Sequence, residues 1–328
     1  MKLPLIESVN KSVKDKGGSY GENLRLKFKQ FISQNNLSYE EKKCLCNADN
    51  PIVISKKDEY GLYQENVMCG SCGLIYANPR LSEKSYQKFY SSNFYREIYD
   101  ESSDSEKRLL KTPDPHIFQK VNDIYKINPK TNVLDFGCGA GWNLKYFKDA
   151  GAICSGIDYS YFLVNLGIKH GYSLKQGGLD EVEGKFDVII LNHVYEHFLN
   201  PIDDLKKLSN HLAPNGIIYI EVPNIYNFSA SQMHIPHTYC FSPDTFPYYV
   251  QKSNMKILDF GSAGNGYHMY GVFKKSSNKG DLPIPSFDIA LREYKRFIFK
   301  EKMKIFLRNI KLFDLVKKIF FLLFKNKY

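Results

Sequence analysis

Long apolar runs are scarce in this chain. No stretch reaches the ~18 consecutive apolar residues that a membrane-spanning helix requires, and "IFFLLF" near the carboxyl end is far too short. The first residues, "MKLPLIESVNKSVKDKGG", lack the continuous apolar segment of a secretory signal. The expectation is a cytoplasmic protein whose thiols are reduced. Net positive charge is also scarce over most of the length. The net charge is +10, yet 291–328 holds 12 Lys/Arg against 3 Asp/Glu, nine of those ten charges. A near-neutral body shows no basic patch for phosphates, so nucleic acid is not an expected partner and RNA modification is the weaker reading. No internal repeat is present.

What remains is ordinary for a folded chain. With 328 residues, 43% apolar and 24% charged, there is enough for one large or two modest domains with a real core. From residue 131 short apolar runs alternate with amphipathic segments. Strands are expected at 132–136, 152–157, 173–176, 186–191 and 216–222, with helices at 141–150, 160–170 and 201–212 between them. That alternation predicts a parallel sheet covered on both faces. Runs at 256–260 and 267–273 follow a helix at 243–253; they lie so close together that at least one must be antiparallel. Upstream, helices are expected at 22–32, from Ser82 through Tyr90, and from Pro115 through Tyr125.

The stretch "NVLDFGCGAGW" (132–142) carries the chemistry. Gly137, Gly139 and Gly141 follow a strand and open a helix, where backbone can approach a ligand with no Cβ in the way. In the dinucleotide version, G-x-G-x-x-G, a third glycine would occupy the position of Trp142, and the loop would not carry Asp135 beside a pyrophosphate. A nicotinamide enzyme is therefore disfavoured. Asp135 suits a ligand with an ammonium group instead. Asp158, 17 residues after Gly141, ends the second strand and is placed to accept ribose hydroxyls; Tyr159 beside it can cover a nucleobase. A ribose and an ammonium without pyrophosphate describe S-adenosylmethionine.

"VLDFGCGAG" resembles the first motif of class I S-adenosylmethionine-dependent methyltransferases, and "GID" resembles their ribose-binding position. "FDVIILNHVYEHFLNP" (186–201) and "LAPNGIIYIEVPN" (212–224) are similar to their fourth and fifth strands with flanking segments. The resemblance covers roughly 130–275 in order and spacing. It implies a Rossmann-like, seven-stranded, mostly parallel α/β sheet with helices on both faces. It also implies cofactor contacts from Asp135, Gly137, Cys138, Gly139, Gly141, Asp158, Tyr159, Asn192 and His193. The acidic residue that often meets the adenine is displaced to Asp180, so that contact is assigned to backbone around Gly178 and Leu179.

Two thiol pairs, "CLC" with Cys44 and Cys46 and "CGSC" with Cys69 and Cys72, are separated by 22 residues. Four thiolates in two short loops suit a closed, structural zinc site. "CGLIYANPR" and "SYQKFYSSNFY" after them resemble the zinc-ribbon-like leader of a bacterial methyltransferase subgroup. That resemblance implies work in sugar, polysaccharide or secondary-metabolite pathways.

Methyl transfer to a hydroxyl needs an aligned acceptor and a route for its proton. "NHVYEH" offers His193 and His197 after the fourth strand. "MHIPHTYCFS" offers His234 and His237 after the fifth, where class I enzymes build acceptor pockets; Tyr226 and Tyr239 could line it. His237 or His234 is the first choice as general base; packing or orienting the substrate is the competing role. In the tail, Phe299, Phe306, Phe313 and Phe320 recur every seven residues, as do Lys304, Lys311, Lys318 and Lys325, with Met303, Ile310 and Phe324 widening the apolar stripe. Such a helix suits an anionic membrane surface, which would place the protein peripherally at the inner face of the membrane, or it packs on the body or a partner.

The expected layout is an extension at 1–40, a cysteine-rich lobe at 41–80, helical connections at 81–128, the methyltransferase domain at 129–276, and a linker with basic tail at 277–328. The expected activity is O-methylation of a sugar, glycan or other small-molecule acceptor, with a lipid-linked glycan fitting the tail. A methyltransferase-like binding module without catalysis is the rival reading.

Overall fold

The computed structural model describes residues 1–6, 19–58, 61–90, 92, 94–95, 107, 109–111, 113–227, 232–277 and 283–309. The tail positions from Ile310 onward, including Phe313, Phe320 and Phe324, lie outside the described residues.

The amino-terminal part contains α1 (Ser19–Gln34), the short strand β1 (Tyr39–Glu40), and strands β2 (Pro51–Lys57), β3 (Tyr63–Cys69), β4 (Ile75–Ala77) and β5 (Arg80–Leu81). Then come α2 (Glu83–Tyr90) and α3 (His116–Ile124). Ser82 Oγ accepts the Ser85 N–H at 3.4 Å and opens α2. From 132 onward the order is β6 (Asn132–Phe136), α4 (Lys145–Asp149), β7 (Ile153–Asp158), α5 (Tyr161–Lys169), β8 (Leu174–Gln176), β9 (Phe186–Asn192), α6 (Pro201–Ser209), β10 (Leu212–Pro223), β11 (Tyr239–Cys240), α7 (Thr245–Lys252), β12 (Met255–Ala263), β13 (His268–Lys275) and α8 (Phe287–Asn309).

Seven of these strands form one sheet in the order β12-β13-β10-β9-β6-β7-β8. β6 pairs in parallel with β7 and β9, as do β7 with β8 and β10 with β9. The exception is β13, antiparallel to both β10 and β12. The chain steps outward from β6 to β7 and β8, then returns to β9 and β10 on the other side. The reversal falls between β6 and β9, and ligands bind such sheets in the crevice at that point. Val188 to Leu191 are all fully buried, as a strand covered on both faces demands.

The cysteine-rich segment builds a second sheet in the order β11-β4-β3-β2. Its fourth strand is supplied by Tyr239–Cys240, 159 residues beyond Arg80. Cys44, Cys69, Cys72 and Tyr76 pack in one continuous core with Leu134, Ile157, Ile189 and Tyr195 of the large sheet. α8 lays Ala290, Tyr294 and Ile298 on Leu3, Ile54, Met68 and Ile75. Tyr294 donates its hydroxyl proton to the Pro4 carbonyl. Ile305 continues this contact beyond Ile298, whereas Phe299, Met303 and Phe306 are exposed.

Candidate functional site

The glycine loop closes over the ends of β6 and β7. Gly137 and Gly139 have φ of 75° and 55°, left-handed values that glycine adopts without the Cβ penalty. A Cβ at Gly137 would stand 2.4 Å from Val194, and one at Gly139 would stand 2.3 Å from the Trp142 ring. Trp142, the residue that spoils the dinucleotide pattern, therefore backs the loop. The N–H groups of Gly137 and Cys138 both donate to the Ile157 carbonyl, at 2.7 and 3.1 Å.

Asp158 ties the same loop from the other side. One carboxylate oxygen accepts the Gly139 N–H at 2.7 Å and the other accepts the Ser160 N–H at 2.8 Å. Burial raises its pKa, and the two N–H groups offset part of that rise. Tyr159 is 65% exposed. Its hydroxyl passes so close over Gly178 that a Cβ there would stand 2.1 Å from it. Glycine at 178 is thus what admits the ring, and Leu179 packs against the core beside it. Tyr90 of α2 stacks on Tyr159 with centroids 6.3 Å apart and 17° between planes. Nothing in the local sequence marked Tyr90, because only the tertiary fold brings the leader to this edge.

Asp135 is fully buried under the loop. Asn143 donates its amide to the two carboxylate oxygens at 3.2 and 3.5 Å, and Asn192 donates to the Asn143 carbonyl oxygen at 3.4 Å. Burial pushes the Asp135 carboxyl up to about 7, with the neighbouring Asp158 adding to the rise and Asn143 opposing it. A cationic ligand is attracted only to the ionised form. Affinity for S-adenosylmethionine is therefore expected to fall by up to about tenfold per unit as the pH drops below ~7 and this carboxyl takes up its proton. Calorimetric titrations between pH 5.5 and 8.5 measure this. Asp135→Asn should remove the slope, and a slope that survives the substitution would assign it elsewhere.

The histidines sort into two neighbouring groups. His193 follows β9 with φ of 57°. Its Nδ1 is 3.5 Å from Glu196, its Nε2 is 3.9 Å from Glu221, and its side chain is 36% exposed. Glu221 also accepts hydrogen bonds from Tyr219 at 2.5 Å and from His116 at 2.8 Å. Burial works to raise the Glu221 carboxyl, but His116 and Tyr219 outweigh it and hold its pKa below the usual value. His268 packs edge-on against His193, centroids 4.6 Å apart. His116, Glu221 and His268 had escaped the sequence reading, although Glu221 stands in plain view in "IYIEVPN".

His237 lies deeper, 7% exposed, its Nδ1 on the Gln232 carbonyl at 2.8 Å and its Nε2 3.8 Å from Glu196. His234 is 3.7 Å away, centroid to centroid, and burial pushes its pKa down. His197 meets the Tyr90 hydroxyl at 3.2 Å, and burial lowers it to about 3. Tyr226 donates to Asp244 at 2.6 Å, while Tyr239 stands beside Arg80.

The four thiols also converge. Cys44 and Cys72 sulfurs are 3.5 Å apart, Cys46 and Cys69 are 3.6 Å apart, and all four lie within 4.8 Å of one another. A tetrahedral site with Zn–S bonds of ~2.3 Å separates its sulfurs by ~3.8 Å, so this cradle fits zinc.

Residues 107–256 match a family described as a methyltransferase domain. The ubiquinone biosynthesis O-methyltransferase of Glaesserella parasuis serovar 5 (strain SH0165) is 32% identical over 130 residues, covering 33% of this chain and 54% of that protein. The protein of the same name from Rickettsia felis (strain ATCC VR-1525 / URRWXCal2) is 26% identical over 160 residues, 44% and 62% of the respective chains. The chain spans about half the length of the curated relatives it matches. Among solved structures, magnesium protoporphyrin IX methyltransferase from Synechocystis PCC 6803 with bound SAH is similar at 13% identity. Its TM-score is 0.46, over 60% of this chain and all of that one. The family match spans less than half of the chain, and the strand order and glycine loop agree with the Rossmann-like α/β fold that the sequence resemblance implies.

Proposed function

We propose that this chain methylates the hydroxyl oxygen of a small molecule and that the acceptor hydroxyl is ionised at His193. One observation carries the choice of residue. Of the four histidines singled out by sequence, His193 stands beside Asn192 at the carboxyl end of β9, partly open to solvent and between the carboxylates of Glu196 and Glu221. His237 and His234 back this group from the buried side. S-adenosylmethionine, when bound, supplies a methyl group on a sulfonium. The chain's own residues do the rest. Asp158 and the glycine loop hold the ribose, Tyr159 and Gly178 form the adenine side, and Asn143 keeps Asp135 oriented under the loop. The names of the relatives support oxygen as the acceptor atom. A sugar or glycan acceptor is the narrower reading, supported by the resemblance of the cysteine leader.

The test begins with calorimetric titration by S-adenosylmethionine, S-adenosylhomocysteine and NAD. Micromolar binding of the two sulfur ligands and none of NAD is expected. If neither sulfur ligand binds, the domain is a binding module and the reading falls. His193→Ala should leave cofactor affinity unchanged and cut turnover of a hydroxyl acceptor by ~10²–10⁴-fold. An equal loss of cofactor binding would show that His193 holds the cofactor instead.

A further inference from the structure

We propose that His193, Glu221 and His268 bind a divalent transition-metal cation that takes the acceptor oxygen. The inference rests on the reading that His193 faces the acceptor, and it changes the role of that side chain from the base that takes the hydroxyl proton to a ligand of a cation that acidifies the hydroxyl. Three neighbouring strands deliver the donors: His193 follows β9, Glu221 lies on β10, and His268 opens β13, opposite Pro223 in register. Their nitrogen and oxygen atoms lie within 4.8 Å of one another. Bonds of ~2.1 Å to a cation place neighbouring donors ~3.0–3.4 Å apart, a closure within reach of side-chain rotation.

Further observations support a ligand-binding role for these side chains. The Nδ1 of His268 is buried without a hydrogen-bond partner among the described residues. Glu221 is supported from behind. Tyr219 and His116 hold Oε2 at 2.5 and 2.8 Å, while Oε1 faces His193 at 3.9 Å. Outer partners of this kind fix the orientation of a metal-binding carboxylate. His193 is held in its left-handed conformation by its own N–H, which donates to the Glu221 carbonyl at 2.9 Å. Backbone strain of that sort persists where the surroundings impose it, and it gathers at functional sites.

Two imidazoles and one carboxylate suit manganese, iron, cobalt or zinc, and three protein ligands leave positions for an acceptor oxygen. The acceptor hydroxyl, once bound, releases its proton to water. Its oxygen then forms the new bond to the methyl carbon as the carbon–sulfur electron pair returns to sulfur, leaving S-adenosylhomocysteine.

Cobalt(II) titration of the full chain, followed by visible absorption, tests the site. With one equivalent of zinc already in the cysteine cradle, cobalt bound here should give ligand-field bands with no thiolate-to-cobalt charge transfer. His268→Ala and Glu221→Gln should weaken that binding at least tenfold, and Cys44→Ser should leave it intact. Absence of such bands, or bands unchanged in both variants, overturns the inference. S-adenosylmethionine binding is measured on the same samples. Retained cofactor binding with no cobalt site sinks only the metal. Lost cofactor binding in the unaltered chain sinks the underlying reading.

Discussion

Replacing Asp158 by alanine should weaken S-adenosylmethionine binding by about 10²–10³-fold while leaving the fold intact. Two effects act together. The ribose hydroxyls lose a charged acceptor, and a hydrogen bond to a charged group contributes ~1.5–3 kcal/mol. The loop loses its tether as well, because Gly139 and Ser160 both donate to this carboxylate. A loss of ~3–4 kcal/mol corresponds to the stated range, since each 1.4 kcal/mol is tenfold. Asp158→Asn keeps an acceptor oxygen at nearly the same place and should fall between the two. Calorimetry of both variants separates the contributions. An unchanged dissociation constant in Asp158→Ala would remove the ribose role altogether. The parent helix α5 should survive, because Ser160, not Asp158, caps it through Leu163.

What could be read from the sequence was what local chemistry dictates. The loop at Gly137 to Gly141 was legible because three left-handed turns in five residues leave little choice but glycine. The parallel sheet was legible because its central strands β9 and β10 carry continuous apolar runs at 188–191 and 217–220. β10 shows where local rules end. It starts at Leu212, not 216, because Pro214, Asn215 and Gly216 look like a turn, and Asn215 has φ of 64°. The sheet absorbs them as an irregularity, with the register to β9 shifting between Leu212 and Ile217. The cluster of His116, Glu221 and His268 was illegible for a different reason. His116, Glu221 and His268 are separated by 105 and 47 positions, and only the pairing of β10 with β13 and the docking of α3 bring them together. Tyr90 on Tyr159 is the same case. No periodicity in one segment reports what the other segment carries.

Zinc is expected in the cysteine cradle, and removing it should lower the thermal midpoint of the whole folded body by at least ~10 °C, in a single transition. The reason is continuity of the core. Cys44, Cys69 and Cys72 are buried in the cluster that also holds Leu134, Phe136, Ile157 and Ile189. The Tyr249 hydroxyl of α7 sits 3.2 Å from the Cys72 sulfur. β4 of the cysteine sheet pairs with β11, which comes from the segment after β10. A lobe that borrows its fourth strand from the segment after β10 cannot melt alone. Structural zinc contributes folding free energy outright, and each kcal/mol lost shifts the midpoint of a domain this size by ~2–4 °C. Loss of even ~5 kcal/mol then gives the predicted drop. Elemental analysis of the purified chain should find one zinc. Scanning calorimetry before and after chelation should show one shifted peak, and Cys72→Ser should reproduce the shift while Cys154→Ser does not. Two separated peaks would mean that the lobe is an independent module despite the shared strand. An unchanged midpoint in a zinc-free sample would mean that the four thiols hold the fold by packing alone.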